Sequence, residues 1–585
     1  MQYKELVDIY KELEAKSKRL NKTFIISKFL KKTKTDDINK IILLLQGYVF
    51  PQYSEKKIGV ASKLVSRAIS LASGLSVNKV EESWKTIGDL GEVAEKFIEK
   101  KNQSTLFQQK LTVKKVFENI KKLASLEGQG SVDQKVKLIT ELLTSAEPLE
   151  ARYIVRTVLE DLRVGVGEGS IRDSIVWAFF ENEIGFKYLE KDNDFEVKDR
   201  ELYKKYVNAV QEAFNVTTEF AVVATAAKEN GLKGLEKLKL KIGKPIKVML
   251  YQKVEDITHA FERVGTPCAF EFKYDGFRLQ LHKHKDKIQL FTRNLEDVSR
   301  QFPDVIKAIR ENTQADSFIL DAEAVGLDMK TKKYLPFQEI SQRIKRKHNI
   351  AETIKRLPVV ITVFDIIEFN GKNLTKEPFQ KRREALNKIV KEQENQIELA
   401  KQIITDNVKE AEKFYKKALS LGLEGVMAKN LEGIYKPGSR VGYGVKVKPV
   451  MENLDLVIVG AEWGTGKRAT WLSSYVLACK KEDQFLEIGK VGTGIKEKVE
   501  MGVSFDELTK LLKPLVTTQT TKTVKVKPKI IIEVAYEEIQ KSPTYSSGYA
   551  LRFPRLIRLR TDERDADDCD TLERVEDLYY LQKKR

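Results

Sequence analysis

The sequence predicts a multi-domain protein in which an all-α region, an α+β region and an all-β region follow one another. Three observations carry that expectation. Apolar residues recur at three- and four-residue spacings, with almost no proline, up to about residue 240. From Pro245 to about Lys448, apolar runs of strand length mix with charged helical stretches. After Pro449 the pattern is one of short strands. The expected units are residues 1–240, 241–448 and 449–585. A chain of 585 residues holds roughly three or four domains on a prior of about 150 residues each.

In the first region, Tyr3 to Leu20 places Leu6, Ile9, Tyr10 and Leu13 on one helical face. Val132 to Leu143 and Leu149 to Val164 keep that period, and Asp36-Asp37 and Ser131 stand where helices start. Gly165-x-Gly167-x-Gly169 follows no strand, so it is not read as a dinucleotide loop. Gly243 and Pro245 punctuate the end of the region.

In the second region, Cys268 to Lys273 reads as a strand with Glu271 and Lys273 on one face and Phe270 and Phe272 on the other. Tyr274-Asp275-Gly276 turns the chain, and Arg278 opens another strand. A lysine on a half-buried strand beside an arginine is a candidate amine nucleophile, because desolvation and a nearby cation both lower its pKa. The same octapeptide also reads as a Lys–Glu pair on a sheet face. Leu279 to Arg293 predicts a hairpin, Phe318 to Gly326 and Val359 to Phe369 predict strands, and Lys381 to Lys401 predicts a helix. In the third region Leu454 to Gly460, Ser474 to Ala478 and Lys529 to Tyr536 predict strands of a small barrel, with Thr517 to Thr521 as a loop. Lys525, Lys527 and Lys529 fall on alternate positions as a basic face, with Pro528 arguing for an edge or a break. Trp463 to Arg468 lacks the spacing and the hydroxyl residue of a P-loop.

The formal charge of +19, from 104 basic and 85 acidic side chains, favours an anionic polymer as partner. No long apolar run occurs and the N-terminus does not open a signal peptide, so a cytoplasmic protein without membrane contact is the expectation. Cys268, Cys479 and Cys569 are too few and too scattered for a disulfide framework or a zinc site.

Lys273-x-Asp275-Gly276-x-Arg278 resembles the nucleophile motif of the covalent nucleotidyltransferases, the ATP-dependent DNA ligases, RNA ligases and messenger-RNA capping enzymes. Further motifs follow in that superfamily's order. Arg293, in Phe291-Thr292-Arg293-Asn294, stands where a ligase arginine meets the nucleotide, and Glu323 follows in Asp321-Ala322-Glu323. Phe364-Asp365-Ile366-Ile367 resembles the segment whose ring stacks on adenine. Glu424 to Lys429 resembles the fourth motif, and Arg440 with Val445-Lys446-Val447-Lys448 the fifth. The resemblance implies Lys273 as nucleophile, with Glu271, Arg278, Arg293, Glu323, Phe364, Arg440, Lys446 and Lys448 around the nucleotide. Glu323 and Glu424 are carboxylates suited to divalent metal or ribose contacts and are read as the metal's ligands, and the implied cofactors are ATP and Mg²⁺.

Arg156 to Gly165 and Gly88-Asp89-Leu90-Gly91 are similar to segments of the helical DNA-binding domain of archaeal and eukaryotic replicative DNA ligases. Gln103-Ser104-Thr105-Leu106-Phe107 resembles the peptide by which archaeal ligases hold the sliding clamp, through Gln103, Leu106 and Phe107; Phe107 also reads as core. Arg552 to Glu563 resembles the C-terminal ligase motif, except that Glu563 stands where lysine is usual, with Arg564 adjacent. The whole implies a helical DNA-binding domain, a nucleotidyltransferase domain and an OB-fold domain. It implies a monomeric ATP-dependent DNA ligase acting on nicked duplex DNA. An RNA ligase or capping enzyme shares the lysine chemistry, and a DNA-binding scaffold with a dead site is the rival from another class.

Overall fold

Helices with one apolar stripe build the first region. Tyr3–Glu14 buries Tyr3, Leu6, Val7, Tyr10 and Leu13, the stripe that the spacing predicts. The computed structural model describes residues 1–585 except 52, 55, 57, 101–109, 127–129, 332, 336, 346–348, 439, 450, 465–467, 469, 498–501, 521, 562 and 585. Gln103, Leu106 and Phe107 therefore lie outside the described residues. The first helix ends at Glu14 rather than near Leu20, because Lys16, Ser17 and Lys18 offer nothing apolar to bury. The helix expected over Leu149 to Val164 is Pro148–Val158. Glu160 and Arg163 take φ of 55° and 61°, outside any right-handed helix, while Leu162 and Val164 still turn inward. An unexpected ribbon, Lys187–Leu189 against Asp194–Glu196, interrupts the helices. Aromatic packing explains it, since Phe195 in the ribbon and Phe186 just before it pack on the buried Trp177.

The two segments singled out by resemblance here are tied to each other. Asp89 caps the helix Leu90–Glu99, accepting from the Gly91 and Glu92 N–H groups. Arg156, only 3 % exposed, donates to Asp89 through Nε at 3.0 Å and Nη2 at 2.7 Å, and to Glu14 at 2.9 Å. A buried charge needs such partners. Arg156 is thus an internal strut, whereas Arg163 joins Asp89 from a half-exposed position.

The segment after the last helix (Phe220–Glu236) docks on the second region through two buried side chains. Gln280 accepts the Ile246 N–H at 2.9 Å and donates to the Ile246 carbonyl at 3.1 Å. His282 Nδ1 accepts the Gly243 N–H at 3.1 Å. Burial pushes the His282 imidazole down to about 3. A histidine whose folded pKa lies below its unfolded value of about 6.5 contributes stability above that pH and loses it as the pH falls. Tm is therefore expected to fall on acidification below about pH 6.5, and His282→Gln to remove part of that slope. Equal slopes for the two proteins in a pH series of melting curves would discard this role for His282.

The second region holds two sheets. In one, the order is Gln402–Thr405, Cys268–Lys273, Gly425–Asn430, Arg440–Val447, Leu250–Val254, antiparallel except for the last pair. In the other, Phe277–His284 lies between Lys287–Thr292 and Ser317–Leu327, and Val359–Phe369 follows. The turn at Tyr274-Asp275-Gly276 carries the chain from the first sheet to the second. Gly276 is required there, since a Cβ would stand 2.3 Å from the Ala324 carbonyl oxygen. The helix expected over Lys381 to Lys401 is Phe379–Ile389 alone. Asn395 turns the chain at φ 60°, and Ile397–Leu399 pairs in parallel with Val359–Phe369.

The third region is β-rich, built on Leu454–Trp463 and Leu472–Lys481, with Ile531–Ala535 and Arg555–Leu559 beside them. Two elements depart from expectation. Val516–Gln519, overlapping the expected loop, pairs with Thr523–Val526 as an edge strand. Helices Phe505–Leu512 and Leu572–Lys584 pack on the strands and bury Phe505, Leu508, Val575 and Leu578, so the region is not purely β. Thr523–Val526 ends before Pro528, and Lys525, Lys527 and Lys529 are exposed. Among the described residues no helix is long and apolar enough to cross a membrane. The cysteines are buried and free.

Candidate active site

A cavity of about 670 Å³ opens between the two sheets, with Lys273 in its wall and Glu537, Arg552 and Phe553 of the third region at its edge. Strand alternation delivers the lysine. Phe270 and Phe272 go into the core, leaving Glu271 and Lys273 to face the cavity. Lys273 Nζ lies 2.7 Å from Glu424 Oε2, and Lys448 Nζ lies 2.5 Å from the same oxygen. The Glu424 N–H also donates to the Lys273 carbonyl at 2.9 Å. Gly425, at φ +133°, faces Lys273 in register; a Cβ on it would meet the Val447 carbonyl oxygen at 2.2 Å.

Electrostatics here differ from the sequence expectation. Burial pulls the Lys273 amine down, but the carboxylates of Glu424 and Glu323 outweigh it and hold the amine above its ordinary pKa. The Arg278 guanidinium, the cation expected to lower it, does not reverse that direction. It binds Asp321, donates to the Tyr435 hydroxyl at 3.0 Å and to the Met249 carbonyl at 3.2 Å. Burial raises Glu424, yet the ammonium groups of Lys273 and Lys448 prevail and bring it to about 2. Burial, with Lys273 opposing and Glu424 assisting, pushes Glu323 up to about 7. Burial and the charge of Glu424 push Asp275 to about 7 as well. Lys446 is drawn down by burial and by Lys448.

Phe364 reaches the cavity through a β-bulge. Ala322 pairs with Val363 and Asp321 with Asp365, leaving Phe364 as the extra residue of its strand. Val363 and Ile366 both enter the core behind, and Phe364 turns to the cavity wall. Arg278 and Lys429 stand over its ring, 5.3 Å and 5.1 Å from the centroid.

Of the residues singled out in the sequence, Glu271, Lys273, Arg278, Arg293, Glu323, Phe364, Glu424, Lys446 and Lys448 all line this cavity. Arg440 opens its strand opposite Leu250; its side chain lies outside the described residues. Sequence reasoning assigned no role to Asp275, Lys429 or Arg552, all of which line the same cavity. Each lay inside a quoted motif, which was the available signal. Arg552 comes from the third region and stands 5.5 Å from the Phe337 ring centroid. The later arginines of that motif are turned elsewhere. Glu563 lies 3.1 Å from both Arg558 and Arg560, which also meet Glu533, and Arg564 pairs with Asp455 at 3.0 Å.

Comparison with known proteins gives one answer along the chain. Residues 2–176 match the family model described as DNA ligase N terminus, 248–448 the ATP dependent DNA ligase domain, and 468–563 the ATP dependent DNA ligase C terminal region. The DNA ligase of Nanoarchaeum equitans is 47% identical over 587 residues, covering 100% of this chain and 99% of that protein. The DNA ligase of Thermococcus fumicolans is 39% identical, with 100% and 99% covered. The solved structure of Pmar-Lig_PreS3 covers 95% of this chain and 99% of its own, at a TM-score of 0.53 and 16% identity, a likeness of fold alone.

Proposed function

Since this chain belongs to the ATP-dependent DNA ligase family and joins DNA, we propose that Lys273 is the nucleophile that carries AMP from ATP to a nick. The observation that carries the proposal is the Lys273 amine in the cavity wall, held by Glu424 beside Lys448. The amine gives up a proton, forms a bond to the α-phosphorus and displaces pyrophosphate, which leaves with the electron pair. The 5′-phosphate oxygen of a nick then attacks the same phosphorus, and Lys273 leaves as an amine. Finally the 3′-hydroxyl oxygen attacks the 5′-phosphorus, its proton is lost, and AMP departs.

The other residues divide by chemistry. Lys446 and Lys448 place positive charge on one wall, suited to the oxygens of a transferring phosphoryl group. Phe364 offers a ring face to the base, and Glu271 an acceptor at the same end. We assign Arg278, Arg293 and Arg440 to nucleotide binding, Arg278 by shaping the wall through Asp321 and Tyr435. Glu323 and Glu424 fit Mg²⁺ as oxygen donors. Among the described residues no group of three or more His, Cys, Asp or Glu could hold a metal, and Mg²⁺ suits such a site because it binds through one or two carboxylates with substrate phosphates. Mg²⁺ would neutralise charge on the phosphate oxygens.

We also assign residues 1–240 to DNA binding, 241–448 to adenylation and 449–585 to an OB-fold. We further propose a monomer, cytoplasmic residence and clamp contact through Gln103, Leu106 and Phe107. An RNA ligase or capping enzyme is not favoured by the family. The test is incubation with α-labelled ATP and Mg²⁺, denaturing electrophoresis, and then addition of nicked DNA or nicked RNA. Label on the protein that passes to nicked DNA is expected. A folded protein that takes no label would overturn the lysine assignment.

A further inference from the structure

We propose that Arg383 is a positioning residue that sets the preference of this site for a 6-amino over a 6-oxo purine nucleotide. The inference rests on the reading above that the base lies at the Glu271–Phe364 end of the cavity. Arg383 sits on the helix Phe379–Ile389, held beside the site by its neighbour Arg382, which donates to the buried Asp365 at 2.7 Å. Arg383 does not itself line the cavity, but it binds two groups that do. Its Nη2 donates to the Ala400 carbonyl at 2.8 Å, and its Nη1 lies 3.5 Å from Glu271 Oε1.

Glu271 is 1 % exposed, and the structure surrounds it with donors. Gln402 Nε2 reaches Oε1 at 3.1 Å, and Lys429 Nζ reaches Oε2 at 2.5 Å. A carboxylate has about four acceptor positions. Arg383 and Gln402 occupy those of Oε1 and Lys429 takes one of Oε2, which leaves a single acceptor on Oε2. Held in this way, the carboxylate has no freedom to turn away. A 6-amino group finds an acceptor in such a site. A 6-oxo group brings an acceptor against an acceptor, the kind of mismatch by which buried polar groups discriminate. Without Arg383 the Oε1 side of Glu271 loosens and the Ala400 carbonyl loses its fixed donor. The base-reading end then loses its pattern while Lys273, Glu424 and Lys448 keep theirs.

The experiment measures covalent labelling of the full chain with α-labelled ATP, ITP and GTP, for wild type, Arg383→Gln, Arg383→Lys and Gln402→Ala, with melting temperatures. Arg383→Gln is expected to raise KM for ATP about tenfold and to keep the maximal labelling rate within about threefold. It is expected to cut the ATP-over-ITP ratio of kcat/KM by roughly tenfold or more. Gln402→Ala should move the ratio the same way by a smaller step. Arg383→Lys should restore only part of it, because an ammonium lacks the two-pronged guanidinium. An unchanged ratio in folded Arg383→Gln overturns the inference, as does an equal loss with every nucleotide. If Arg383→Gln does not fold, Arg383→Lys decides, and an unchanged ratio there is equally fatal. Wild type that takes no label from any nucleotide would instead sink the lysine reading.

Discussion

Lys273→Ala abolishes covalent labelling from α-labelled ATP and sealing of an ordinary nick, with a loss of about 10⁴-fold or more expected for a missing nucleophile. Lys273→Arg fails too, since a guanidinium stays protonated and cannot supply a free electron pair. A nick supplied with its 5′-phosphate already adenylated should still be sealed by Lys273→Ala, because the last step uses the 3′-hydroxyl and not the amine. Labelled Lys273→Ala would place the nucleophile elsewhere. The raised pKa of Lys273 adds a pH dependence. At neutral pH the group is an ammonium ion, so the labelling rate should rise with pH until the amine is free. Removing the negative partner in Glu424→Gln lowers the amine's pKa and moves that rise toward neutrality, although the same change leaves Lys448 without its partner at 2.5 Å. A labelling rate independent of pH in both proteins would show that proton loss from Lys273 is not limiting.

Gly425→Ala comes next in expected effect. The strand Gly425–Asn430 lies between the lysine strand and Arg440–Val447, with Gly425 opposite Lys273 and Val426 opposite Val447. An added Cβ meets backbone, the Val447 oxygen at 2.2 Å, at a φ of +133° that side chains rarely adopt. Backbone cannot swing aside as a flexible side chain can, so the strands must part. The expected cost is roughly 3 kcal/mol of stability. The larger loss is chemical: Glu424 precedes the displaced residue and holds both Lys273 and Lys448. Misplacing a catalytic group by about 1 Å costs about 100-fold, which is the expected fall in labelling rate. Binding of nicked DNA, assigned to residues 1–240, should persist in a gel-shift assay and report that the rest of the chain is intact. Wild-type labelling with an unchanged Tm would show that the two strands can separate without disturbing the lysine.

Several features were legible in the sequence because they are local. The Cys268–Lys273 strand matched its expected bounds, since alternation of Phe270 and Phe272 with Glu271 and Lys273 encodes which face is core. The order of motifs from Glu271 to Lys448 named nine residues that line one cavity, because their short patterns lie on or beside strands of the two sheets. The succession of helical, mixed and β-rich regions followed from periodicity, and it failed at aromatic packing, at turns and at the two helices that pack on the third region's strands. The Lys187–Glu196 ribbon rests on Trp177, and Asn395 breaks the second half of the expected helix.

Other properties belong to contacts between residues far apart in the chain. A strand pattern predicts that Lys273 faces a site, but whether its pKa falls or rises depends on Glu424 and Glu323, brought there by other strands. Phe364 reaches its wall by a bulge whose register is set by pairing with Ser317–Leu327, which no spacing within its own strand reveals. Arg156 has the composition of a phosphate contact and the surroundings of a buried strut. Glu563 broke the expected motif in sequence, and only folding shows that it pairs with Arg558 and Arg560, neither of which lines the cavity. Local sequence determined the strands, their faces and the place of Lys273 in the cavity wall. Tertiary structure decided charge state, aim and partnership, because electrostatic and packing energies depend on distances in space rather than along the chain.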